Sequence, residues 1–149
     1  MQKTKLLLIG LGFFWIFAWS IFGSVLGSRI EIMSATNADP TWLIGWQRTL
    51  LRSAHAHMNL MGITTLLIAL TLSHIKIYLP RKYVSIIIIV NSLSIPIFGL
   101  GIVLQAFFPN ANGNISPVTA IAALGGILYI ITIGIWSALF IFTAMKKHN

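Results

Sequence analysis

The sequence predicts an all-α fold, a four-helix bundle built for a membrane, as a single transmembrane domain over residues 1–149. Three observations predict it. Hydrophobic residues make up 57% of the chain and charged residues 8%. A water-soluble domain carries about 25% charged residues, so this chain lacks the polar surface to face water. Four apolar runs also reach the roughly 20 helical residues that cross a hydrocarbon core. Finally, the basic residues gather at the ends of those runs, where lipid headgroups lie.

The first run covers about residues 6–27. The sequence MQKTK before it resembles the start of a signal peptide, but signal apolar regions are only about 7–15 residues long, so an uncleaved first helix is expected. The second apolar run begins near Leu51 and ends near Tyr78. Asp39-Pro40 has the form of a helix start, with an N-cap Asp and Pro in the first turn. Trp42 and Trp46 follow as an interfacial belt, and the second helix is therefore expected over about 41–78. The third covers about 83–108, with Pro96 inside it as a kink. The fourth covers about 118–145. Gly99, Gly101, Gly125 and Gly126 offer close helix approach or room for a flat cofactor. Helices rather than strands follow because lipid leaves the backbone to satisfy itself.

Orientation follows from Lys3, Lys5, Lys76, Arg81, Lys82, Lys146 and Lys147. In a four-helix chain these share one side, which predicts cytoplasmic N and C termini. The uncharged PNANGNISP loop fits the other side. Arg29, Arg48 and Arg52, against Glu31 and Asp39, vote weakly the opposite way. A bacterial inner (plasma) membrane is the expected location. The net charge of +8 is spent on this membrane topology, so no nucleic acid partner is expected.

The chain has two carboxylates, Glu31 and Asp39, and no cysteine. That excludes carboxylate-pair catalysis, carboxylate proton relays, thiolate chemistry, disulfides, iron–sulfur clusters and covalent haem attachment. Histidine is the group left for chemistry at neutral pH. His55 and His57 lie inside the second apolar run, in SAHAHMNLMG. At ~100° per residue they point to nearly opposite faces, so one unbroken helix cannot turn both to one metal ion. The His55 face continues as Arg48, Arg52, His55, Asn59, Gly62 and Leu66, one stripe of cations, imidazole, amide and gap. The His57 face continues as Met61, Thr64 or Thr65, and Ile68.

A haem b fits the His55 stripe. The imidazole of His55 ligates iron, Arg48 and Arg52 pair with propionates, Asn59 supplies a hydrogen bond, and Gly62 leaves room for the porphyrin. On this basis His55→Ala should lose haem and His57→Ala weaken it at most. Interhelical hydrogen bonding by His and Asn, with Arg snorkelling to headgroups, is the competing account of the same residues. Copper, with His55, His57, Met58, Met61 and Met33 as donors, is a further metal option, disfavoured by the helix geometry. His74 and His148 lie at helix ends and are expected to be solvated. Gln105, Ser24 and Thr119 are candidates for the distal side, and Trp15 and Trp19 for packing or lipid contact.

The stretch RSAHAHMNLMG resembles the HAHxNLxG signature of small membrane proteins described as haem–copper oxidase subunit I-like. NSLSIPIFGLGI resembles the second block of that group, with Asn91 where a histidine is expected. The layout is also distantly similar to styrene oxide isomerase, whose W–R–AH segment matches GWQRTLLRSAH with an insertion and whose FPN turn follows the third helix. The resemblance implies four membrane helices, a trimer, and ferric haem b held by His55. The isomerase's tyrosine and aspartate on the third helix are missing here, where Asn91, Ser92, Ser94 and Gln105 stand.

Three functions therefore stand at this point. One is a haem b protein with an open iron site, an isomerase-like enzyme acting on a small apolar substrate. The second is a non-catalytic haem or copper carrier, or an assembly partner of an oxidase. The third is a structural bundle without a cofactor. The lipid bilayer and further copies of the chain are the expected partners.

Overall fold

The computed structural model describes residues 2–36, 41, 45–72, 79–108 and 117–146. Among these, the regular structure is helical. The long elements are α1 (Gln2–Ala35), α2 (Trp46–Thr71), α3 (Arg81–Phe107) and α4 (Pro117–Lys146). The Asp39-Pro40 helix start, Trp42, His74, His148 and most of the PNANGNISP loop lie outside the described residues.

Helices α1, α3 and α4 are long and apolar enough to cross a membrane. At 34 residues, α1 is about 50 Å long and exceeds a ~30 Å hydrocarbon core. It runs well past the expected limits of 6–27. The 26 residues of α2 give it sufficient length. It differs from the expectation in being less apolar than its neighbours, because Arg48, Arg52, His55, His57 and Asn59 crowd its first half. Helix α3 continues through Pro96 as one element. Proline has no N–H to give, so the Ser92 carbonyl lacks its usual helical donor.

Helices adjacent in sequence are adjacent in space, and α3 is the hub, packing on α2 and α4 and touching α1. Two apolar clusters show the antiparallel course. One joins Trp19 and Leu26 of α1, Leu51 and Met58 of α2, Ile95 and Ile102 of α3, and Ala122 of α4. The other joins Leu8 of α1, Ile68 and Leu72 of α2, Ile87 and Ile88 of α3, and Trp136 of α4. Up-and-down order with short connections is the usual solution for such bundles. Large apolar side chains on the outside, such as Phe13, Phe17, Ile130 and Phe142, are exposed, as a surface meeting acyl chains requires.

The helices meet where side chains are smallest. A methyl group on Gly12 would stand 3.1 Å from the Gly62 carbonyl oxygen, and one on Gly62 would stand 3.0 Å from Ile16. On the other side of the bundle, Gly101 lies against the Ala122 backbone and Gly125 against the Phe98 backbone. Of the two roles open to these glycines, close helix approach is the one they perform.

A polar knot ties the middle of the bundle. Asn91 of α3 is 1% exposed. Its Nδ2 donates to Thr65 Oγ1 of α2 at 3.0 Å, and its Oδ1 accepts from Thr132 Oγ1 of α4 at 3.2 Å. The Thr65 hydroxyl donates in turn to the Met61 carbonyl at 2.9 Å. Three helices thus share one amide, which satisfies a group that would otherwise be costly in apolar surroundings. The Thr132 hydroxyl also bonds within α4, to the Tyr129 carbonyl at 2.8 Å.

Valine at position 125 must displace backbone, whereas a side chain at Gly134 of the same helix meets open space. Gly125→Val is expected to lower the melting temperature in mild detergent by several degrees and Gly134→Val to leave it unchanged. Equal effects would contradict the α3–α4 packing.

Candidate functional site

The two histidines of α2 occupy different surroundings. His55 turns toward α1. Its ring lies directly over Gly23, where a Cβ would overlap Cε1, Nδ1 and Nε2. Its Nδ1 stands 2.8 Å from the Trp19 carbonyl oxygen. A carbonyl only accepts, so Nδ1 carries the hydrogen and Nε2 has the lone pair. Asn59, one turn on, donates Nδ2 to the His55 carbonyl at 3.1 Å, and the same nitrogen lies 3.4 Å from His55 Nε2. The same Asn59 nitrogen lies 3.2 Å from His55 Nδ1, so Asn59 crowds the ring from within α2, and the bond that crosses to α1 is the one from Nδ1 to the Trp19 carbonyl. Asn59 Oδ1 is buried with no donor among the described residues.

His57 turns the other way and is exposed. Its Nδ1 donates to the Ser53 carbonyl at 2.8 Å, and Ser53 Oγ lies 3.2 Å from the same nitrogen. That bond fixes the tautomer and leaves the lone pair on Nε2, the arrangement typical of a ligating imidazole. The Phe98 ring of α3 lies beside it, with centroids 5.8 Å apart and planes inclined by 59°.

The remaining members of the predicted stripe separate. Gly62 is filled by Gly12 and Ile16 of α1, so the gap expected beside a porphyrin is a helix crossing. Arg52 is exposed and Arg48 half-buried. Both stay on the His55 side of the helix, with Arg52 about 140° round from His57. Met58 and Met61 are buried in the core, with Met33 packed against the same cluster, and Met58 Sδ faces Gly99. Ser24 bonds within its own helix, to the Ser20 carbonyl at 3.0 Å. Trp19 is buried against the core and Trp15 packs partly on it. Gln105 and Thr119 are half-buried.

Four participants escaped the sequence. Ser53 had a usable signal, since it lies one turn before His57. Gly23, the Trp19 carbonyl and Phe98 had none, because only tertiary packing brings them to α2. Against family models, curated proteins and solved structures, the chain finds no significant match.

Since His55 is a packing element and His57 is not, His55→Ala is expected to cost about 1–2 kcal/mol of stability and His57→Ala close to nothing. Gly23→Ala should mimic His55→Ala, because the added methyl displaces the ring. Thermal melts in mild detergent check all three. A destabilised His57→Ala with an unaffected Gly23→Ala would overturn the assignment of faces.

Proposed function

We propose that this chain is an integral membrane protein that binds haem b through one imidazole of α2, and that the imidazole is His57. Its four helices lie in the bilayer of a bacterial inner membrane with both termini cytoplasmic. The observation that carries the reading is the His57 ring itself. One nitrogen is fixed by the Ser53 carbonyl, and the other keeps its lone pair on an exposed face of α2 that is otherwise lined by apolar side chains such as Leu60 and Ile63. An ionisable side chain at such a depth is a functional group by default.

Both imidazoles give Nδ1–H to a backbone carbonyl and keep the lone pair on Nε2; His57 is favoured because its ring is exposed, whereas the His55 ring is packed over Gly23 of α1. His57 Nε2 would hold the iron, Ser53 would keep the ring oriented, and Phe98 would offer an aromatic face beside it. Haem iron with a single axial imidazole supplies a Lewis acid for an oxygen-containing substrate or a site for a small gas. The remaining residues hold the scaffold: Asn91, Thr65 and Thr132 fix the helices that carry His57 and Phe98. The second reading, a structural bundle, draws support from His55 and Asn91, whose polar atoms are used within the protein. His57 is the residue it leaves unexplained.

Reconstitution with haem in mild detergent, followed by absorption spectra of the oxidised and reduced forms, tests the reading. Wild type and His55→Ala are expected to show a Soret band, and His57→Ala to lose it while melting normally. Loss in His55→Ala alone would return the ligand to His55 and require the α1–α2 contact to open. A wild type that rejects haem would leave the structural bundle.

A further inference from the structure

The two ends of the bundle are chemically unequal. Lys3 and Lys5 open α1, Arg81 and Lys82 open α3, and Lys146 closes α4. The antiparallel order brings these positions to one end. There Leu8 and Ile9 of α1, Leu72 of α2, Leu79 and Val84 flanking the start of α3, and Phe140 of α4 pack together. The chain's carboxylates are Glu31 and Asp39, and Glu31 stands near the far end of α1. Among the described residues, the end that holds Lys3 and Lys82 carries no acidic side chain.

Just inside this end, α2 and α4 part. An open groove of about 280 Å³ runs between Leu67, Ile68 and Thr71 of α2 and Ile133, Trp136 and Phe140 of α4. Trp136, 1% exposed, is part of its wall. Thr71 ends α2 and Phe140 is six residues before Lys146, about 9 Å along the helix. The groove thus opens beside the cationic end and continues along helices of membrane-crossing length.

We propose that the groove and the basic end together bind one anionic phospholipid. An acyl chain lies between α2 and α4, and the phosphate rests among the basic residues at the mouth. Charge selects the occupant. Cations concentrated at one end attract anionic headgroups over zwitterionic ones, and an apolar groove within a hydrocarbon-length bundle accepts a chain rather than a polar ligand. Thr64, which also lines the groove, lies about 10 Å along the same face of α2 from His57, so the groove continues that face toward the basic end, and lipid binding is read separately from haem.

The full chain, purified in mild detergent and stripped of lipid, would be titrated with phosphatidylglycerol or phosphatidylcholine. Native mass spectrometry counts bound lipid and a thermal melt reports stabilisation. Phosphatidylglycerol is expected to stay bound and raise the melting temperature, with phosphatidylcholine doing neither. Ser137→Trp, at an exposed groove position, should cut binding by filling the groove. Lys82→Gln with Lys146→Gln should weaken it roughly fivefold per charge without moving the melt of the lipid-free protein. Equal binding of both lipids would overturn the proposal in favour of unselective boundary lipid. Stabilisation by inorganic phosphate alone, or full binding by Ser137→Trp, would remove the groove from the site. Should Ser137→Trp fail to fold, the charge variant and the two-lipid comparison decide.

Discussion

A polar side chain on a helix surrounded by apolar groups has to find its partner inside the protein. Helix α2 carries more such side chains than any of its neighbours, and each is handled differently. Thr65 joins the Asn91 amide, which also holds Thr132, so that one hydrogen-bonded knot sets the depth of three helices. Thr64 bonds within its own helix, to the Leu60 carbonyl. His55 donates to the Trp19 carbonyl of α1 and takes Asn59 as its neighbour. His57 alone of the pair turns back on its own helix, to the Ser53 carbonyl, and its ring is exposed.

These bonds depend on how closely the backbones approach. The Gly12–Gly62 crossing brings α1 near enough for His55 to reach the Trp19 carbonyl, and Gly23 leaves space for its ring. On the opposite flank, Gly101 and Gly125 seat α4 against α3, which carries Phe98 and Asn91. Small residues and polar anchors therefore work together. The first permit contact, and the second fix its register more sharply than apolar packing would. The consequence for chemistry is a division of labour on one helix, with an imidazole that holds α1 and another that faces outward.

The helix content was legible in the sequence because the apolar runs are long and are punctuated by basic residues, prolines and asparagines. The opposite faces of His55 and His57 were legible too, from helical rotation alone. Which face meets another helix was not. The stripe of Arg48, Arg52, His55, Asn59 and Gly62 had the order of a cofactor site. Gly62, however, is read equally well as a vacancy and as a crossing point, and its partner Gly12 lies fifty residues away. Gly23 carries no pattern that links it to His55. Asn91 invited comparison with a missing histidine, and only its distances to Thr65 and Thr132 give it a structural task. Ser53, by contrast, was within reach of a spacing argument, since side chains four apart on a helix meet.

The claim most worth testing is that the two imidazoles differ in availability while sharing a tautomer. Nitrogen-15 NMR of the histidine-labelled protein in detergent micelles, before and after addition of ferric haem, reads both directly. The account predicts that His55 and His57 each show a hydrogen on Nδ1. It also predicts that the paramagnetic iron broadens the His57 signals away while those of His55 remain. Selective loss of the His55 signals, with His57 unperturbed, would contradict it.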